Sequence, residues 1–200
     1  MSTWYREVPN SAPVDQGELL FDFPILGVKP NCPVDEVLAG NEEAGLDALI
    51  SLTDVVVVSQ ACDIENDKIE FLVLAQVWDA GQFIPREEER ASPNEARGRR
   101  KQFFKDVRRG LRPNFVLLGR HAGDFDLGYQ LVDLSRIYTS SVEFVEYYRT
   151  HARRPRLRLN TPHRELLNQS LGHYFSRIGL PNDDHITEDD LLECVLPPSL

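Results

Sequence analysis

Cysteine is scarce. Three residues, Cys32, Cys62 and Cys194, stand in a chain of 200. An odd number so far apart argues against a disulfide framework. CxxC and HExxH are missing, and the five histidines (His121, His151, His163, His173, His185) lack ligand spacing, so no metal is expected. No cofactor is indicated either. Long apolar runs are absent too. Nothing approaches the roughly 18 residues of a membrane span, so no membrane partner is expected. Residues 1–17 contain no apolar stretch of the kind a secretory signal needs, and the expected location is cytoplasmic. Repeats and low-complexity tracts are also lacking. What is present is an ordinary globular composition, 42% hydrophobic and 27% charged, which excludes wholesale disorder. The length suffices to bury a core without staples.

Charge is segregated along the chain. Residues 1–96 hold 5 Lys and Arg against 19 Asp and Glu. Residues 97–182 reverse this, with 17 against 7. Residues 183–200 carry six acids and no cation. An evenly acidic surface would repel nucleic acid, whereas a segregated one can still present a cationic face. The competing arrangement pairs the acidic and basic segments inside the fold.

Residues 1–16 hold two prolines and no periodic pattern, and they read as a flexible N-terminal arm. A strand is expected over residues 17–28, with Pro24 forcing an edge or a bulge. Residues 29–50 read as a long connection. Asp54–Gln60 is the clearest strand: four consecutive valines are stiff at χ1 and favour the pleated state. Their lack of alternation implies burial on both faces. Ile69–Trp78 should pair with it as a hairpin across the Asn66-Asp67 turn. A helix is expected from Asn94 to Arg109, stopped by Gly110. Strands follow at 114–118 and 129–134, then helices from Ser140 to Thr150 and from Thr161 to about Gly179. A short last helix is expected over 187–194. Strands first and helices later give an α+β domain.

Three segments in order resemble the MazF/PemK family of toxin ribonucleases. They are Asp15–Phe23, the pair Val55–Gln60 and Phe71–Ala75, and Tyr129–Tyr138 with its Asp133 and Arg136-Ile137. The resemblance implies a small SH3-like antiparallel β-barrel over 17–150 with a basic helix in an insertion at 79–112. Residues 151–200 would then be a C-terminal helical extension packed on it. It also implies a toxin–antitoxin or phage-defence setting and, by analogy, a homodimer. Active members of the family carry Arg-Pro at the start of the second strand and a hydroxyl residue at the end of the third. This chain has Thr53-Asp54 and Gln76-Val77-Trp78 there. An aspartate would repel the scissile phosphate that an arginine attracts, so the ribonuclease activity is not carried over.

The functional candidates are of two kinds. Ser59, Gln60, Cys62 and Asp63 form a motif at a strand end. Cys62 and Asp63, with His121, are the catalytic candidates, although Asp63 and Glu65 would raise the thiol pKa and work against a nucleophile. The basic run from 97 to 112 holds eight cations and one acid. On a helix, Arg97, Arg100, Lys101, Lys105, Arg108, Arg109 and Arg112 would offer phosphates a cationic stripe, while Phe103, Phe104 and Val107 turn inward. Arg153, Arg154 and Arg156 belong to a second basic cluster. The expected function is therefore a nucleic-acid-binding or regulatory component, RNA or DNA being the partner. A diverged ribonuclease with a relocated active site is one alternative. A protein-interaction subunit with separate acidic and basic faces is another.

Overall fold

The computed structural model describes residues 4–29, 34–40, 48–85, 92–123, 125–151 and 155–176. The elements in chain order are β1 (Tyr5–Val8), β2 (Glu18–Val28), α1 (Val34–Leu38), β3 (Ala48–Val57), α2 (Ala61–Glu65) and β4 (Phe71–Asp79). They continue with α3 (Pro93–Arg108), β5 (Phe115–Leu118), β6 (Gln130–Ser141), α4 (Val142–His151), β7 (Arg156–Leu159) and α5 (His163–Ser176). All pairings are antiparallel, in one seven-stranded sheet of order β1-β7-β2-β3-β4-β6-β5. The fold is α+β. The expected 187–194 helix lies outside the described residues.

The valine run sits at the centre of this sheet. Val56 and Val58 pack on one face with Leu19, Ala75, Val77 and Leu134. Val55 and Val57 pack on the other with Leu20, Phe23, Leu72 and Leu74. Burial on both faces is thus the reason for the unbroken apolar run. α5 covers the first face through Leu167, and α4 covers the second through Val145. Phe103 and Val107 of α3 make a third cluster with Ala80 and Leu131.

The closed barrel is not what the structure shows. No ladder hydrogen bonds join β1 to β5, so the sheet is open. Its two ends instead meet through side chains. His121, in the β5–β6 connection, lies 3.2 Å from the Glu7 carboxylate of β1. Trp4 stacks on His163 of α5 at 3.6 Å between ring centroids. The same indole presses on Gly119, where a Cβ would come within 2.0 Å of it, so only glycine fits.

Two expected boundaries also change. Residues 5–8 of the expected arm are an edge strand, and Tyr5 is buried. The expected helical extension begins with β7, which is inserted between β1 and β2. Both strands escape a local reading because Arg156 and Arg158 of β7 are buried charges. Their guanidiniums donate to carbonyls of residues 9, 12 and 13 and to Glu18 and Asp15. Partners so far away in sequence leave no trace in a local pattern.

α3 begins two residues earlier than expected, with Ser92 and not Asn94 as its cap. The Glu95 carboxylate accepts hydrogen bonds from the Ser92 hydroxyl (2.7 Å) and the Ser92 N–H (3.1 Å). These bonds, with Arg99 nearby, hold its pKa below the ordinary 4.5. A folded-state pKa below the unfolded value gives a contribution present above the unfolded value and lost as pH falls through the folded one. The Ser92 amide resonance is expected to move as the solution is acidified below about pH 4.5. Glu95→Gln should flatten that titration. A flat wild-type profile would mean the cap is not formed in solution.

Candidate functional site

The expected catalytic residues stand on separate elements, Cys62 and Asp63 on α2 and His121 in the β5–β6 connection. Ser59 ends the strand run, and its hydroxyl accepts the Val73 N–H at 2.7 Å. Gln60 precedes α2, on which Cys62 is exposed. The Cys62 sulfur lies 3.7 Å from Gln60 Oε1 and 3.7 Å from Asp63 Oδ1, both acceptor oxygens. No hydrogen bond joins either residue to His121, which is held by Glu7 and lies edge-on to Tyr5. Asp54, where the family resemblance would want an Arg-Pro pair, accepts the Asp22 N–H at 2.8 Å. Asp22 has φ 57° at a register shift of β2, so this carboxylate serves a backbone irregularity. Among the described residues no three His, Cys, Asp or Glu converge into a metal site. No described helix is long and apolar enough to cross a membrane.

The basic segments divide into exposed and internal charges. On α3, Arg97, Arg99, Lys101, Lys105 and Arg108 are exposed, and so is Arg109 just beyond. Arg97, Lys101, Lys105 and Arg109 follow one another at four-residue steps and so share one side of the helix. Phe103 and Val107 anchor the opposite side in the core. Arg100 departs from expectation. Its guanidinium donates to the carbonyls of Ala80 and Gly81, tying α3 to the end of β4. Arg156 departs further: it is 3% exposed and fully committed inside the fold, so it forms no part of a cationic face. Arg153 and Arg154 lie outside the described residues. Both arrangements weighed from the sequence are therefore realised, pairing at β7 and exposure at α3.

A cleft of about 700 Å³ opens beside α3, and the sequence reading missed it. Its construction begins with a break in the β4–β6 ladder. Gln76 pairs with Asp133, but Ala75 pairs with Ile137, so residues 134–136 form a bulge. Bulges re-aim side chains and are over-represented beside functional sites. Here Asp133 Oδ1 accepts the Ser135 N–H and hydroxyl and fixes the bulge. Asp133 itself is buried. Arg136 stands at the cleft edge, 50% exposed, 5.4 Å above the Trp78 ring. Arg112, just past α3, is 5.5 Å from the Phe103 ring. Phe83 bridges the aromatic wall, with its ring 5.9 Å from Trp78 and 5.6 Å from Phe115.

This cleft takes side chains from β4, α3, β5, β6 and two connections. The available sequence signal was the pairing of Trp78 and Phe83 with Arg112 and Arg136 in separate segments, which local periodicity does not join. A scan of family models and searches of curated proteins and solved structures return no match.

Proposed function

We propose that the chain is a nucleic-acid-binding module whose contact surface is the outer side of α3. The observation that carries this reading is the α3 cation row, exposed along one side of a helix whose other side is anchored in the core. A helix fixed in this way presents its charges to a phosphate backbone without having to order its own backbone at the moment of binding, and each contact releases counterions. A MazF/PemK-like origin of the strand core, and with it a toxin–antitoxin or phage-defence setting, fits the order of the three segments and rests on them alone.

The test is fluorescence anisotropy of a labelled single-stranded RNA across a salt series, with the same samples run on a denaturing gel. Intact RNA bound in a salt-dependent manner supports the module. Cleaved RNA would favour the diverged ribonuclease instead. Lys101→Glu with Lys105→Glu should weaken binding at low salt by about tenfold or more. It should also make the slope of log K against log salt shallower by about 1.4, two single-strand contacts at about 0.7 each. Both side chains are exposed, so circular dichroism should remain native. Unchanged affinity would remove α3 from the interface.

One observation favours the protein-interaction reading. The far end of the β2–β3 pair exposes Leu26, Val28, Ile50 and Leu52 on one face of the sheet. Apolar side chains gathered in this way mark association surfaces. A homodimer through this face would appear as a concentration-dependent mass in light scattering.

A further inference from the structure

A second groove, of about 760 Å³, lies on another flank of α3. Phe103 lines the cleft described above, whereas Phe104, about 100° further round the helix, lines this groove. Leu117 of β5 and Tyr129, the residue before β6, face it from the sheet side. Ala80 and Gly81, in the turn after β4, line it as well, and Arg100 holds both of their carbonyls from the α3 side. Tyr129 is 47% exposed even though the Arg120 guanidinium lies 4.5 Å over its ring. A ring oriented by a cation and still open to solvent is a platform for a flat ligand. Arg108 and Arg120 also line the groove, from different elements, and both are exposed. Among the described residues, neither guanidinium has a hydrogen bond or an ion pair.

Helix geometry joins this groove to the cation row. Arg97, Lys101, Phe104 and Arg108 follow one another at steps of four, three and four, so they share one side of α3. A strand whose phosphates follow Arg97 and Lys101 therefore reaches the groove at Arg108. We propose that the groove is a stacking site for one unpaired base of that strand. The base lies on the Tyr129 ring, and the phosphates beside it meet Arg108 and Arg120. Asp79 sets this orientation. It lines the groove, and its Oδ1 accepts the N–H groups of Gly81 (2.6 Å) and Gln82 (3.1 Å). A carboxylate there repels phosphate and leaves the groove to the uncharged base. A base inside a duplex is already stacked and paired, and its entry would break those contacts. A cation row without the groove has the opposite preference, because a duplex carries more charge per unit length than a single strand. The proposal deepens the nucleic-acid reading and rests on it, since α3 must hold the strand. The sign of the strand preference separates the groove from the row.

The test compares three labelled probes by fluorescence anisotropy with the full chain at one salt concentration. They are a single-stranded RNA, the same RNA annealed to its complement, and an abasic strand of the same length. The single strand is expected to bind more tightly than the duplex. It should exceed the abasic strand by about 5- to 140-fold, the equivalent of about 1–3 kcal/mol of stacking for one base at about 1.4 kcal/mol per tenfold. Tyr129→Ala is expected to lose most of that advantage while its duplex affinity stays at the wild-type level. Tyr129→Phe keeps the ring and should keep the advantage. Tyr129 is exposed, and its backbone carbonyl is what accepts the Ala80 N–H, so both variants should fold. Duplex bound as tightly as the single strand overturns the proposal. So does an abasic strand that binds equally well, or a Tyr129→Ala protein with the full preference. In those cases salt-dependent binding would still uphold the α3 surface. Failure of every probe to bind at low salt would refute the α3 surface and the groove together.

Discussion

Glu18→Ala is expected to destabilise the protein by about 3–5 kcal/mol, the usual cost of removing one partner from a buried ion pair. Glu18 is 0% exposed. Its Oε1 accepts from Arg156 Nε at 2.6 Å and its Oε2 from Arg158 Nη2 at 2.9 Å. Arg156 and Arg158 are themselves 3% and 8% exposed. Without Glu18, Arg156 would lose its carboxylate partner, and Arg158 would keep only Asp15, 3.0 Å from its Nη1. The effect should extend to the N-terminal segment. Arg156 also binds the carbonyls of Pro9 and Ala12, and Arg158 that of Pro13, so a disturbed pair loosens residues 9–13. Urea denaturation gives the stability change, and limited proteolysis should cut first near this segment. A loss under about 1 kcal/mol would show that the carboxylate is solvated in solution.

Val57→Asp is expected to abolish the folded state. Val57 is 0% exposed, and its cluster neighbours include Val14, Phe23, Leu72, Leu74 and Val145. A carboxylate placed there has no counter-charge within an apolar cluster and costs several kcal/mol. That cost approaches the whole stability of a typical domain, about 5–15 kcal/mol. Soluble yield and a thermal melt followed by circular dichroism provide the measurement. A soluble Val57→Asp protein that melts cooperatively would show that β3 is not central. The two substitutions probe different forces, a satisfied charge network at β7 and close apolar packing at β3.

The difference between β3 and β7 also shows what a local reading can detect. The valines of β3 announce burial on both faces by their own chemistry, whatever they pack against. The Arg-Leu-Arg-Leu of β7 is buried just as deeply, but its charges are tolerated only because Glu18 lies 138 positions away. The same limit applies on α3. Lys101 and Arg100 are neighbours of like charge, yet one is exposed and the other clamps the carbonyls after β4. The cleft escaped detection for a related reason. Its aromatic wall is assembled from residues 78 to 115, and its Arg136 is presented by a break in pairing that exists only once β4 and β6 meet.

By itself the sequence determined the α+β class, the central valine strand, the hairpin with β4, and a basic helix ended near Gly110. Each depends on side-chain shape, period or capping within a few residues. Tertiary structure alone decided that the sheet stays open, that β1 and β7 join it, which arginines face outward, and that a cleft forms beside α3. Those outcomes depend on which distant group meets each charge and ring, and pairing energies of that kind are not encoded in any single window of the chain.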